Sequence, residues 1–365
     1  MSILQIIPKP FHLRCGIGDY SSHLAVELER LTGSPTRFFS HHIGLNDDVI
    51  ASEIAERTLD LRALSLPNSD HLIGRESAFI LHYSGYGYAK RGAPVWLYRQ
   101  VNRIRDRHPS TPWITMFHEV AASGPLWTSA FWLRPLQRLV ARLLHDASDG
   151  SITNCTRNAE ALKALLPDNS PDLPICPVFS NFGDPETSPK SSLRDPSVVI
   201  FASNFGAKIP SLGFWDELAE ALSAVGGKRV VVIGRDIEVP GQFPFVVEKP
   251  GYLSPQDVSA VLSRSKFGYA FLGPELFAKS GIFAAFAAHG VVPVVPTSCS
   301  SLPDGLTAHV HYHPTRGSSP ISRPDEYFDA IGSNIQQWYN PHSAASTASV
   351  FASTISRALK QLRSE

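Results

Sequence analysis

The stretch that decides the fold is Gly273 to Pro296, GPELFAKSGIFAAFAAHGVVPVVP. It follows a strand-like run from Lys266 to Leu272, and it ends in a second apolar strand from Val291 to Val295. Between the two, Ile282 to His289 is apolar and alanine-rich, as a buried helix would be, and Gly290 stands at the position of a helix C-cap. This order of strand, loop, helix and strand predicts part of an open parallel sheet.

The loop before this helix holds a polar cluster in an apolar neighbourhood, formed by Glu275, Lys279, Ser280 and Gly281. Ligands of open parallel sheets bind at the carboxyl ends of the strands, where helix N-termini offer free N–H groups to an anion. The loop is therefore predicted to bind a phosphate. The alternative is that Lys279 is a solvated loop residue.

The composition is that of a globular protein, and the length of 365 residues predicts two domains. With 33 basic and 33 acidic residues the chain gives no general electrostatic case for nucleic acid or an anionic membrane, although a local basic patch could still exist. The four cysteines are scattered without a CxxC pair and no acidic metal motif is visible, so no disulfide framework or metal site is predicted. No signal sequence or membrane span is visible, so the cytoplasm is the expected location, with peripheral contact at the inner face of a membrane left open.

Short apolar runs alternate with helical patterns along the chain, which predicts two doubly wound Rossmann-like domains facing a cleft. The first domain, on the acceptor side, is predicted over 1–183, a linker rich in proline and serine over 184–197, and the second over 198–343. The helix predicted over 344–365 could pack back on either domain. Loops at the carboxyl ends of strands can face the cleft, and Gly234 lies in one of them.

Gly16 and Gly18 lie between the first predicted strand and the first helix. Glycine at this place lets the backbone approach a ligand closely. The alternative is a tight turn that requires positive φ. Because no third glycine follows in register, the pattern is only a weak dinucleotide-binding signal.

Aromatic residues and a histidine follow two further strands of the first half. Tyr83, Tyr86 and Tyr88, with His82, form an aromatic, glycine-rich loop, and such rings offer flat apolar faces that suit sugars or bases. His118 follows the strand Trp113 to Phe117 and is placed for chemistry, since its pKa lies near neutrality. The alternatives are an ordinary packed surface loop and a structural histidine.

In order and architecture, nearly the whole chain resembles the retaining glycosyltransferases of the GT-B fold, in particular family four. CGIGDYSSHLAVEL is similar to the family's GGIGxYxxxLAxxL, whose later glycines meet the donor diphosphate, which points to Gly16 and Gly18. The strand ending in TMFHE is similar to a family strand whose histidine contacts the transferred sugar, which points to His118. FASNFGAK is similar to F-x-G-R-x-x-x-x-K, whose Arg and Lys bind the donor phosphates, with Asn204 at the Arg position and Lys208 one residue short of the Lys position.

The stretch from Gly273 resembles the family's E-x7-E segment but departs from it at the second acidic position. Glu275 fits the first Glu, whereas Phe283 stands where the second Glu would hold the donor ribose. Lys279 and Ser280 have no counterpart in the family pattern. We expect Lys279 to supply the phosphate charge that Asn204 cannot, because one charge-assisted hydrogen bond can replace another.

The resemblance implies a glycosyltransferase that moves a sugar from a nucleoside-diphosphate sugar, of UDP or GDP type, to a hydroxyl of a sugar or lipid-linked glycan. Retention and independence of metals and other cofactors are expected with it. His118 and Glu275 would orient the sugar, and the leaving phosphate would take the acceptor proton. Two alternatives stay open: a catalytically silent scaffold that binds a nucleotide, glycan or partner protein, and a nucleotide-sugar epimerase, which needs acid and base groups around the sugar.

Overall fold

A computed structural model of the chain describes residues 2–11, 15–41, 58–65, 73, 77–122, 124–185, 187–205, 210–316 and 323–364. The chain divides into two compact units, unit 1 with Met1–Pro177 and Ala344–Glu365, and unit 2 with Val178–Ser343. Across the described ranges, no helix has the length and apolar character needed to cross a membrane.

In its described part, unit 1 is built on six strands and, before its final helix, five helices. The strands are β1 (Ser2–Ile7), β2 (Thr36–Ser40), β3 (Thr58–Asp60), β4 (Ser77–Tyr83), β5 (Trp113–Phe117) and β6 (Gly150–Thr153). The helices are α1 (Gly16–Thr32), α2 (Gly85–Tyr88), α3 (Val95–Arg107), α4 (Ser129–Asp146) and α5 (Thr156–Lys163). The strands form one parallel sheet in the order β3-β2-β1-β4-β5-β6.

Unit 2 repeats this plan. Its strands are β7 (Asp195–Phe201), β8 (Arg229–Ile233), β9 (Val246–Gly251), β10 (Ser265–Tyr269), β11 (Val292–Val295), β12 (Ser301–Leu302), β13 (Leu306–Thr307) and β14 (His313–Pro314). Its helices are α6 (Leu212–Val225), α7 (Pro255–Arg264), α8 (Gly281–Ala288) and α9 (Asp325–Tyr339). A parallel sheet has the order β14-β11-β10-β7-β8-β9, and β12 and β13 form a separate antiparallel pair.

The last helix, α10 (Ala344–Ser364), belongs to unit 1, where it packs on α1. Strand β7 begins at Asp195, inside the stretch 184–197 that was predicted to be a linker. Short 3₁₀ helices cover Leu61–Ser65, Ser191–Leu193, Ala202–Phe205, Pro274–Lys279 and Asn340–His342.

Both sheets have the doubly wound strand order, which confirms the predicted fold class of two Rossmann-like α/β domains. The reason is visible in the strands themselves. Every residue of β4, SAFILHY, is buried, because a parallel strand is covered by helices on both faces and is therefore apolar throughout. Short apolar runs of this kind recur along the sequence, and they are the pattern from which the fold class was predicted.

The strand, helix and strand around Gly273 to Pro296 form as predicted, and Gly268 explains how closely they pack. A Cβ built on Gly268 of β10 would lie 2.7 Å from the ring of Phe286 on α8. The missing side chain therefore lets α8 lie directly on the sheet. Gly290, just after α8, has a φ of 59°, the left-handed conformation expected where a helix ends at glycine.

Candidate functional site

His118 is fixed at the carboxyl edge of the unit 1 sheet, one residue after β5. Its backbone N–H donates to the carbonyl of Tyr83 at 2.9 Å. Its own carbonyl accepts a hydrogen bond from the side-chain amide of Asn158 at 3.0 Å, and that amide also reaches Asn154 at 2.8 Å. The backbone of His118 is therefore held by a neighbouring strand and by α5 at once.

The imidazole of His118 belongs to a buried chain of polar side chains. His118 Nε2 lies 3.1 Å from His82 Nδ1, and His82 Nε2 lies 2.7 Å from Oε1 of Gln5 on β1. Burial, with the neighbouring His118, lowers the pKa of His82 well below its usual value, so His82 is neutral at pH 7. Because Gln5 Oε1 can only accept, His82 carries its proton on Nε2 and accepts at Nδ1 from the Nε2–H of His118.

These hydrogen bonds determine which nitrogen of His118 carries the proton. In this arrangement the Nε2 of His118 carries the proton that His82 accepts. The ring of Tyr20 from α1 packs against His118 edge to face, at 5.0 Å between centroids, and holds the plane of the imidazole. His118 is buried, with 7% of its surface exposed to solvent. Its imidazole therefore lies in a fixed orientation at the end of β5.

Gly16 and Gly18 lie in the first turn of α1, also at the carboxyl edge of unit 1. Neither has positive φ, so the alternative of a tight turn is wrong. A Cβ on Gly16 would meet no heavy atom of the described residues within 4 Å, which leaves its backbone open to a ligand. Cys15 caps the helix, with its Sγ accepting from the N–H of Gly18 at 3.2 Å.

The three tyrosines predicted to form an acceptor surface differ in their exposure to solvent. Tyr83 and Tyr88 are buried in the core of unit 1, and the hydroxyl of Tyr88 donates to the carbonyl of Ile6. Their rings therefore cannot offer a face to a ligand, and this part of the prediction is wrong. Tyr86, on the short helix α2 that replaces the predicted loop, is 40% exposed and keeps that role open.

Unit 2 contains a cavity of about 580 Å³ at the carboxyl ends of β10 and β11. The N-terminus of α6 borders it, where Ser211 accepts from the N–H of Phe214 as the helix cap. One charged pair is part of its wall, Arg316 with Glu217, at 2.6 Å. The lining residues are Ser211, Gly213, Phe214, Glu217, Phe271, Leu272, Gly273, Phe277, Val295, Pro296, Thr297, Leu302 and Arg316.

The predicted phosphate loop begins at the rim of this cavity, whose lining includes Gly273 and Phe277 but not Glu275, Lys279, Ser280 or Gly281. A Cβ built on Gly273, which lines the cavity, would lie 2.8 Å from Oε1 of Glu275, so that carboxylate is next to the rim. Ser280 is the N-cap of α8 and accepts from the N–H of Phe283 at 3.1 Å. Its hydroxyl proton is still available to a ligand, because the cap uses only a lone pair.

Lys279 ends the 3₁₀ helix before α8 and is partly buried, and Gly281 is the first residue of α8. A Cβ on Gly281 would lie 2.9 Å from Nδ2 of Asn181, so glycine lets this side chain approach the start of α8 closely. Phe283 packs against Phe277 and Trp338, with centroid distances of 4.6 and 5.9 Å. A buried ring at this position cannot bind a ribose.

The other predicted donor residues lie at the ends of β7 and β8. Gly234 follows β8 with a φ of 110°, and a Cβ there would lie 3.6 Å from that of Ala202. Asn204 lies on the 3₁₀ helix after β7, so these two positions follow neighbouring strands of the sheet. Lys208 is outside the described residues.

Several residues near the carboxyl edges of the two sheets were not predicted from the sequence. Gln5 interrupts the apolar run of β1, and a polar residue among buried apolar ones was the available signal for the hydrogen bonds that join Gln5, His82 and His118. Nothing in the sequence marked Arg316 and Glu217 as neighbours, since they are far apart along the chain. Among the described residues, no group of three or more His, Cys, Asp or Glu side chains could hold a metal ion.

No known protein family and no curated protein matches the sequence. Solved structures do match over nearly the full length of both chains. An α-glucosyltransferase in complex with UDP is 11% identical with a TM-score of 0.57, and covers 97% of this chain and 99% of its own. The trehalose 6-phosphate synthase of Burkholderia multivorans is 11% identical with a TM-score of 0.56, and covers 100% and 98%. A putative UDP-N-acetylglucosamine 2-epimerase from Listeria monocytogenes is 10% identical with a TM-score of 0.56, and covers 99% and 97%. At these identities the likeness establishes a shared fold.

Proposed function

We propose that the protein is a glycosyltransferase that transfers a sugar from a nucleoside-diphosphate sugar, of UDP or GDP type, to a hydroxyl of a glycan or glycolipid. The observation that carries the proposal is the cavity of about 580 Å³ at the carboxyl edge of unit 2, bordered by the N-terminus of α6 and by the loop that leads to α8. Such an edge is where doubly wound sheets bind nucleotides. The shared fold with an α-glucosyltransferase bound to UDP supports the same assignment.

In this proposal, unit 2 binds the donor. Lys279 and the N–H groups at the start of α8 stabilise the diphosphate as it leaves, because cations and helix N-termini favour developing negative charge. Glu275 and His118 orient the transferred sugar, and Gly16 provides a backbone N–H to the diphosphate. Following the family resemblance, the reaction proceeds with retention and without a metal, and the leaving phosphate accepts the proton of the acceptor.

The test is to incubate the protein with UDP-glucose, UDP-N-acetylglucosamine and GDP-mannose, with and without a mixture of glycan acceptors. A transferase releases free nucleotide from one of these donors, and faster with an acceptor. His118→Ala should abolish release while nucleotide binding measured by calorimetry is retained, since His118 lies in unit 1. Nucleotide release that does not respond to any acceptor or to His118→Ala would contradict the proposal.

A nucleotide- or glycan-binding scaffold is the second candidate, and Phe283 is the observation that favours it. The position expected to hold the ribose is a core residue, buried between Phe277 and Trp338. A scaffold would bind a nucleotide or glycan with no turnover of any donor. Chromatography of the nucleotide sugars in the same incubations recognises an epimerase, which would convert the donor sugar in the absence of an acceptor without releasing nucleotide.

A further inference from the structure

Residues 180–184 of unit 2, with the sequence SNFGD, form a tight turn that closes on itself. The hydroxyl of Ser180 donates to the carbonyl of Gly183 at 2.9 Å and accepts from the N–H of Phe182 at 3.2 Å. Gly183 has a φ of 77°, a conformation that favours glycine. We call these five residues the SNFGD turn.

The SNFGD turn is anchored to two other elements of unit 2. The hydroxyl of Tyr339 on α9 accepts from the N–H of Ser180 at 3.1 Å and donates to Oδ1 of Asp184 at 2.6 Å. Tyr339 is buried, so these hydrogen bonds are shielded from water. The ring of Phe182 stacks on Phe201 at the end of β7, with 5.5 Å between the centroids. The turn is therefore held by a helix and by the sheet at once.

The anchored turn places the side chain of Asn181 against the start of α8. Just before the turn, the N–H of Val178 donates to the carbonyl of Ala278 at 2.8 Å, which joins this segment to the 3₁₀ helix before α8. A Cβ built on Gly281, the first residue of α8, would lie 2.9 Å from Nδ2 and 3.0 Å from Oδ1 of Asn181. The carboxamide therefore lies beside the predicted phosphate loop.

The carboxamide of Asn181 makes no hydrogen bond to any residue in the described part of the chain. Its Oδ1 is buried, and a buried acceptor without a partner is unfavourable. Its Nδ2 is not buried and keeps both N–H donors. An asparagine that serves only a turn usually bonds its own backbone, so a fixed turn with an unpaired amide indicates a ligand.

The groups that remain open at this place are donors of hydrogen bonds. They are Nδ2 of Asn181, the hydroxyl of Ser280 and the N–H groups at the start of α8. A sugar hydroxyl would suit an amide with both of its polar atoms open, whereas here the acceptor Oδ1 is buried. A set of donors beside Lys279 fits an oxyanion, and in a nucleotide sugar the oxyanions are the phosphates.

We propose that Asn181 is a further donor-binding residue, and that its Nδ2 donates to a phosphate oxygen of the nucleoside-diphosphate sugar at the start of α8. This inference rests on the proposed function, because its ligand is the donor of the transferase. It extends the phosphate site from the loop before α8 to the SNFGD turn, which lies about 100 residues earlier in the chain.

The experiment is calorimetric titration of UDP and GDP into the wild type, Asn181→Ala and Asn181→Asp. Asn181→Ala removes the donors and should weaken binding of the preferred nucleotide about tenfold. Asn181→Asp has nearly the same shape but places a negative charge on the phosphate, so it should weaken binding at least about 100-fold. A role in the turn alone predicts the opposite order, because aspartate serves in turns as well as asparagine does.

Gln336→Glu is the matched control, since it makes the same change from amide to carboxylate at the other end of α8. The side-chain amide of Gln336 donates to the carbonyl of Ala288, the last residue of that helix, at 3.0 Å. An eight-residue helix is about 12 Å long, so the new charge is far from the phosphate. We expect nucleotide binding like that of the wild type, and circular dichroism checks that each variant is folded.

The outcomes separate this inference from the proposed function. Absence of UDP and GDP binding by the wild type overturns the proposed function and the inference with it. Binding by the wild type with the same affinity in both Asn181 variants overturns the inference alone. Weaker binding by Asn181→Ala with normal binding by Asn181→Asp also overturns it, because Asn181 would then act only through the turn.

Discussion

At the residue scale, His118 depends on side chains that do not reach any ligand themselves. Gln5, His82 and His118 come from β1, β4 and the end of β5, three neighbouring strands of one sheet. Their hydrogen bonds are buried, so each donor and acceptor has a fixed role. His118 was predicted from its place after a strand, whereas its partners could not be, because they meet only when the strands pair.

His82→Phe tests this dependence. The change keeps a planar aromatic ring of similar shape and leaves the Nε2–H of His118 without its acceptor. We expect turnover of the donor to fall about tenfold, the kinetic equivalent of one hydrogen bond, and nucleotide binding to stay the same. Nitrogen NMR of the imidazole should show His118 losing its single tautomer.

Thr115→Val is the matched control, because it removes a partly buried hydrogen bond, to Ser148 at 2.7 Å, from the same sheet without touching His118. It should lower stability by about 1 kcal/mol and leave turnover unchanged. Equal losses of turnover in the two variants would mean that His82 acts only through stability.

At the element scale, the position of α8 depends on the glycine beneath it. Gly268→Ala would place a methyl group 2.7 Å from the ring of Phe286 and force helix and sheet apart. We expect a loss of about 1–3 kcal/mol in the free energy of unfolding, measured by urea denaturation. Phe286→Leu should recover part of this loss in the double variant, since the two positions are in contact.

The control for this pair is Gly213→Ala near the start of α6. A Cβ built on Gly213 would have its nearest neighbour, Ser211 Oγ, at 4.0 Å. The φ of Gly213 is not positive, so alanine fits at this position. We expect unchanged or slightly higher stability. If Gly268→Ala is as well tolerated as Gly213→Ala, α8 does not lie on the sheet as described.

At the scale of the whole molecule, stability should depend on pH through buried histidines. Burial, with His309 and Arg323 nearby, lowers the pKa of His313 from 6.5 to about 4. The unfolded chain therefore binds the proton more tightly, and stability is lost as the pH falls below about 6.5. At pH 5 this histidine alone accounts for about 2 kcal/mol less stability than at pH 7.

Urea unfolding of the wild type and of His313→Asn at pH 7 and pH 5 measures this effect. Asparagine has no proton to gain, so the variant should lose less stability between the two pH values. His313 Nδ1 lies 3.0 Å from the hydroxyl of Tyr327, and asparagine can keep a hydrogen bond to it. The same pH dependence in both proteins would show that His313 is not the group that titrates.

The fold could be predicted from the sequence much further than the sites. Apolar runs such as β4 and the alanine-rich α8 indicate their own structure, because burial on both faces leaves a pattern in consecutive residues. At the end of a strand, the sequence has no comparable pattern that tells whether a side chain points into the core or toward a ligand. Tyr83 and Tyr88 were therefore assigned to a binding surface although they lie in the core, and the pairing of Arg316 with Glu217 was not foreseen.

The central claim is that unit 2 binds a nucleoside diphosphate at the loop before α8, and calorimetric titration of UDP and GDP into three proteins tests it most directly. The proteins are the wild type, Lys279→Ala and Lys228→Ala, where Lys228 is an exposed lysine at the opposite, amino edge of the sheet, before β8. We predict that the wild type binds one of the two nucleotides, that Lys279→Ala weakens this binding at least about tenfold, or about 1.4 kcal/mol, and that Lys228→Ala leaves it unchanged. Absence of binding to both nucleotides, or equal affinity in all three proteins, would contradict the claim.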